Sequence, residues 1–215
     1  MFLVFVETRE GKIKKSSLEV LSEAQRRGGE LGITVAAALC GSNMDCLNPE
    51  VFSCGASKVF LLENAQLGAY STQGYATALY ELAQELHPEA IFFAATAMGR
   101  DLAPRLAARL GVGLASDCTG IAVKAGRLAF IRPIFAGKVF LSFRLKSSPQ
   151  LATLRPNVFP LIEPRNKAGE VVKKAVAIAE SQIRGHVADI IREKGEEMDG
   201  TEADGIEVAA RNAYH

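Results

Sequence analysis

The segment Thr96-Ala97-Met98-Gly99-Arg100-Asp101 holds the densest set of groups that could do chemistry in this chain. It offers a hydroxyl, a glycine that permits close backbone approach, a fixed positive charge and a carboxylate. The helical pattern of Leu102, Leu106 and Leu110 follows directly. A helix amino terminus presents unpaired amide donors and the positive end of its dipole, so together with Arg100 it could hold a phosphate. Two neighbours oppose that use: Pro104 removes one donor, and Asp101, placed as the N-cap, occupies others and repels an anion. The segment therefore reads two ways. It is either a cap and tight strand-to-helix turn, or a nucleotide site in which Thr96, Gly99, Arg100 and Asp101 contact the ligand. No G-x-G-x-x-G follows the first strand and no G-x-x-x-x-G-K-[ST] occurs, so neither common nucleotide fingerprint is present.

The remaining reactive residues form weaker patterns. Asp117-Cys118 with a distant His could be imagined as a nucleophilic arrangement, but Cys118 opens an apolar strand, where cysteine is usually inert core. Arg105 and Arg109 lie four apart on the helix face opposite the leucines and read as a solvated face or as a partner contact. Arg132-Pro133 and Arg155-Pro156 each place a guanidinium at a strand end, where it can cap the surface or pair with a partner's carboxylate or backbone. Cys40, Cys46, Cys54 and Cys118 contain no C-x-x-C pair, and His87, His186 and His215 have no ligand spacing. Neither a zinc site nor a disulfide framework is expected, and four reduced thiols in a cytoplasmic compartment are. No carboxylate pair stands at catalytic spacing, so no catalytic residue is assigned.

These groups need elements to position them. The run Phe2-Leu3-Val4-Phe5-Val6 is continuously apolar, as in a strand buried on both faces of a parallel sheet. Residues 33–39, 58–62 and 90–95 repeat the pattern. Between them lie helical periodicities: one entered at Ser16 or Ser17 as cap and ended by Gly28-Gly29 and Gly32, a short one entered at Asn48-Pro49, and one over residues 72–86. Four strands joined by right-handed crossovers give a doubly wound α/β domain. Ligands of such sheets bind beyond the carboxyl ends of the strands, where residues 96–101 lie. After Gly113 the texture changes to short runs at residues 118–123, 128–132, 138–143 and 150–154, separated by turn residues at hairpin spacing. An antiparallel extension of the sheet is expected. Residues 170–194 fit a helix or strands.

Composition closes off other classes. With 215 residues, 25 Lys+Arg, 24 Asp+Glu and a formal charge of +1, the chain shows no clustered basic footprint for nucleic acid or an anionic membrane. Its apolar amino terminus is far shorter than the ~20 residues of a membrane span, so no membrane insertion is expected.

The run from Phe93-Ala94-Ala95-Thr96 through Gly99-Arg100-Asp101-Leu102-Ala103-Pro104-Arg105 to Ala115-Ser116-Asp117-Cys118-Thr119-Gly120 closely resembles the amino-terminal domain of electron transfer flavoprotein alpha subunits. Arg132-Pro133-Ile134-Phe135-Ala136-Gly137-Lys138, Thr153-Leu154-Arg155-Pro156-Asn157-Val158-Phe159 and the helix entry Ser16-Ser17-Leu18-Glu19 resemble further parts of it, and the likeness covers residues 1 to 204. It implies a three-layer, doubly wound, mostly parallel, Rossmann-like (nucleotide-binding) fold and favours strands within 170–194. Residues 1–160 would be the α/β domain, 161–195 additional strands completing it, and 196–215 a linker or the stub of an absent FAD domain. The resemblance further implies an electron carrier subunit, not an enzyme. Its partners would be the beta subunit and, through the complete complex, flavin dehydrogenases and an electron acceptor. FAD would be bound by the heterodimer rather than by this chain alone, because the glycine-rich segment expected after Asp204 does not follow. The beta subunit of the family binds AMP with a loop equivalent to residues 96–101, a site usually considered empty in alpha. The alternative is a stand-alone nucleotide-binding module of the stress-protein or ATP-pyrophosphatase-like type.

Overall fold

The structure, a computed structural model, describes residues 1–41, 44, 47–164 and 168–178. Seven strands form one sheet in the order β12-β5-β4-β1-β6-β11-β7, and every neighbouring pair is parallel. They are β1 (Phe2–Phe5), β4 (Val35–Gly41), β5 (Lys58–Glu63), β6 (Ala90–Ala94), β7 (Leu114–Cys118), β11 (Gln150–Leu154) and β12 (Glu170–Ala175). Three more, β8 (Gly120–Lys124), β9 (Arg127–Ile134) and β10 (Val139–Phe143), make a separate antiparallel sheet. β2 (Thr8–Arg9) and β3 (Lys12–Ile13) pair as a small ribbon.

Successive side chains of a strand face opposite ways, and the central strand shows the result. Phe2, Val4 and Val6 pack with Leu18, Leu21 and Ala24 of α1 (Lys15–Leu31) and with Val51 and Phe52 of α2 (Asn48–Ser53). Leu3 and Phe5 pack on the other face with Leu79 and Leu82 of α3 (Thr72–Leu86) and Leu102 and Leu106 of α4 (Ala97–Leu110). The three layers follow, as expected. The small sheet covers the α1 side through Ile121, Leu128 and Phe130.

Some local expectations change. Neither Ser16 nor Ser17 caps α1: the helix starts from an extended Lys14 with no side-chain cap, and the Ser17 hydroxyl instead accepts the Glu7 amide at 2.9 Å. The helix runs past Gly28-Gly29 and stops at Gly32. Leu47, not Asn48, stands at the N-cap of α2. The antiparallel strands form a sheet of their own, and residues 150–154 leave it to enter the main sheet between β6 and β7. Leu151, Ala152 and Leu154 are all buried, so this strand needs cover on both faces, which a hairpin partner of the exposed β10 could not give. Residues 170–175 are strand, paired with β5. The expected strands beyond 178 and the linker or stub over 196–215 lie outside the described residues.

Candidate functional site

The strand-to-helix turn after β6 is built by Thr96. Its backbone is extended, and its Oγ1 accepts the Gly99 amide at 3.1 Å, which makes Thr96 the N-cap of α4. The helix therefore begins at Ala97, a full turn before the leucine pattern indicates. With that boundary Asp101 is not the cap expected from the sequence, and Pro104 lies two turns inside the helix, where it removes no first-turn donor.

The Asp101 carboxylate accepts from the Tyr70 hydroxyl at 2.8 Å and from the Thr72 hydroxyl, and Arg105 Nε reaches it at 3.5 Å. The Thr72 hydrogen bond, aided by Tyr70 and Arg105, holds this carboxyl below its ordinary range despite partial burial. Asp101 thus ties α4 to the start of α3. Arg109 does the same further along, donating to Thr77 Oγ1 at 2.8 Å and lying over the Tyr80 ring. Arg105 and Arg109 both remain exposed, so this face of α4 is solvated while Arg109 reaches across to α3.

A second carboxylate stands where an anion would bind. Glu7, 2% exposed at the end of the central strand, accepts a hydrogen bond from the Thr96 hydroxyl. Its carboxyl oxygen takes the Thr96 hydroxyl and so occupies space beside the first turn of α4, where a phosphate would have to lie. Beside it a cavity of about 200 Å³ opens among Thr8, Cys40, Gly41, Tyr70, Tyr75 and Met98, near the switch point between β1 and β6. That is smaller than the ~300–1,000 Å³ of most ligand pockets. Thr96 and Gly99 are used in packing, Asp101 faces α3, and Arg100 projects outward with its side chain 64% exposed. The four residues do not turn toward one ligand position.

Arg100 belongs instead to a charged group on the same end of the sheet. Asp117, near the end of β7 with φ of +55°, accepts from Arg155 Nε at 3.1 Å and Nη2 at 2.6 Å, and Arg100 Nη2 lies 3.9 Å away. Arg132 on β9 adds a third guanidinium, donating to Ser116 Oγ at 2.7 Å. The Arg155 hydrogen bonds hold the Asp117 carboxyl below the usual range. A depressed carboxyl stays ionised as pH falls, so this clamp persists through neutral pH and opens only in acid. Along the chain Arg132 and Arg155 stand apart, and nothing there marks Asp117 as the partner of Arg155. Their strand-end positions were visible, but the pairing needs the fold.

The described cysteines offer no nucleophile. Cys40, Cys54 and Cys118 are unpaired and buried, and burial pushes the Cys118 thiol up to about 12. His87 is the C-cap of α3, at the opposite end of the sheet. Cys118 in the native chain is therefore expected to react with a maleimide roughly a thousand-fold more slowly than a free thiol. Peptide mapping after a timed pulse reads this, and rapid labelling would revive a thiol-dependent reaction. No group of three or more His, Cys, Asp or Glu among the described residues could hold a metal ion, and no helix among them is long and apolar enough to cross a membrane.

The sequence model of the electron transfer flavoprotein domain matches residues 2–179. An electron transfer flavoprotein subunit alpha of Thermoanaerobacterium thermosaccharolyticum is 39% identical over 204 residues, covering 94% of this chain and 62% of the relative. Protein FixB of Clostridium saccharobutylicum is 38% identical over 203 residues, covering 93% and 60%. An acryloyl-CoA reductase electron transfer subunit beta of Anaerotignum propionicum is 29% identical over 218 residues, covering 88% and 59%. The chain spans about three fifths of the length of these relatives. With the domain matched across most of its length, the chain belongs to the electron transfer flavoprotein family.

Proposed function

We propose that this chain is the amino-terminal, alpha-type platform of an electron transfer flavoprotein, a component of a carrier and not a catalyst of its own reaction. The observation that carries the reading is the β9–β10 hairpin. Phe135, in the turn, is 75% exposed, and on β10 Phe140 is 65% exposed with Val139 and Leu141 also exposed. Large apolar side chains exposed on both faces of one hairpin, with arginines at its edge, have the composition of a protein interface. Its occupant in this reading is the family's beta subunit, with flavin dehydrogenases and an electron acceptor served by the complete complex in the cytoplasm.

FAD is assigned to that complex. The cavity of about 200 Å³ beside Tyr70, Tyr75 and Met98 is too small for a dinucleotide, and among the described residues no cationic side chain lines it to meet a pyrophosphate. The carboxylates of Glu7 and Asp101 weigh against AMP at residues Thr96, Gly99, Arg100 and Asp101, and against the stand-alone nucleotide module.

Mixing the chain with its beta subunit tests the reading. Sedimentation is expected to show a one-to-one complex at tens of micromolar, and two separate species there would count heavily against it. Calorimetry with AMP, ADP and ATP is expected to show no binding, whereas a micromolar affinity (about −8 kcal/mol) would support the nucleotide module instead.

A further inference from the structure

Beside the exposed hairpin, Arg132 and Arg155 line a concavity of about 460 Å³ whose wall is the turn from Pro133 to Gly137. Three guanidinium groups, Arg100, Arg132 and Arg155, surround the single carboxylate of Asp117. Asp117 satisfies only one of them well. It grips Arg155 through two hydrogen bonds, while Arg100 stands 3.9 Å away. Arg132 spends Nη1 on Ser116, and its Nε is sealed from solvent with no hydrogen-bond partner.

A buried donor left unpaired is costly, so the Arg132 guanidinium is under-satisfied where it sits, and an acceptor can reach it from the side that lines the concavity. The fork of an arginine accepts a carboxylate along one edge with two parallel hydrogen bonds, a geometry that a lysine cannot reproduce. The turn beside it is held in an unusual backbone. Phe135, Ala136 and Gly137 are all left-handed, with φ of +51°, +54° and +84°, and such strain in non-glycine residues clusters at functional sites.

We propose that this concavity is a carboxylate socket: an Asp or Glu side chain of the partner subunit enters it and pairs with Arg132, with Arg100 and Arg155 supplying further positive charge. The proposal rests on the reading that the hairpin docks the beta subunit. Asp117 is then a positioning residue, which keeps Arg155 turned toward the socket while leaving a net positive charge for the incoming acid. Electrostatic complementarity of this kind selects the partner and speeds encounter.

The test measures association of the chain with its beta subunit by calorimetry. Arg132→Gln is expected to raise Kd tenfold or more, and Arg132→Lys to recover little of that loss. Arg100→Gln, at an exposed position without packing duties, is expected to raise Kd about threefold and to flatten its salt dependence. Thermal melts of each variant check that the fold is kept. Exposed acids of the beta subunit are then changed one at a time to the amide. One such change is expected to weaken the native chain but not the Arg132→Gln chain. If Arg132→Gln and Arg100→Gln both leave Kd within twofold while Phe135→Gly weakens binding, the socket is overturned and the docking reading stands. If the unsubstituted chain does not associate at all, both fall.

Discussion

Replacing Gly99 with alanine is expected to lower the unfolding free energy by roughly 3 kcal/mol or more, a larger effect than that of most single substitutions. An added Cβ would lie 1.9 Å from the carbonyl oxygen of Ala94 and 3.4 Å from Glu7 Oε1. Neither neighbour can give way cheaply. Ala94 ends β6 and is paired with Leu154 in the main sheet, and the next amide, Ala95, donates to the Leu154 carbonyl at 2.7 Å. Glu7 is buried and bonded to Thr96. The first turn of α4 would have to lift, breaking the Thr96 cap and its bond to the Gly99 amide. Gly111, the left-handed C-cap of the same helix, supplies a control. It has φ of +68° and open space where a Cβ would stand, so alanine there suffers only backbone strain of about 1 kcal/mol. Urea denaturation of the two variants reads the difference. Equal, small losses would mean that the strand-to-helix turn is soft and that Gly99 is there for some reason other than packing.

Much of the frame that holds this turn is legible in the chain. Phe2 to Val6 and Ala90 to Ala95 are short, unbroken apolar runs with aromatic and β-branched residues, the pattern of a strand covered on both faces. The period of α3 places Tyr75, Leu79 and Leu82 on one face. The start of α4 is misread because Asp101 is as good an N-cap residue as Thr96, and choosing between them requires knowing where β6 ends. The use of the site is hidden for a different reason. Glu7 lies 89 positions from Thr96, and nothing in the spacing of either residue marks the contact. Asp117 and Arg155, 38 apart, meet only because β11 inserts beside β7, a topology that the turn residues Ser147-Ser148-Pro149 disguise as a hairpin. Local chemistry fixes elements, and the long-range pairs decide what the face can bind.

Phe135→Gly is expected to separate stability from assembly. In the folded chain Phe135 holds φ of +51°, a region that costs an L residue roughly 1–2 kcal/mol and a glycine almost nothing. Its ring gives little back, because three quarters of it lies in water. Glycine adds some backbone freedom to the unfolded chain, which offsets part of the relief. The melting temperature should therefore hold or rise slightly. Binding should move the other way. A rigid aromatic presented on a strained turn has lost little freedom still to be spent on association, and truncating such an anchor commonly costs ~2 kcal/mol or more, about thirty-fold in Kd. Phe140→Ser, on the neighbouring strand, should add a loss of similar direction at nearly unchanged stability, since its side chain is also mostly exposed. A melting temperature that drops with Phe135→Gly would show that the ring stabilises the hairpin itself. Unchanged affinity for the beta subunit in the Phe135→Gly, Phe140→Ser double variant would move the interface off this hairpin altogether, because no partner surface covering it could ignore the removal of both rings.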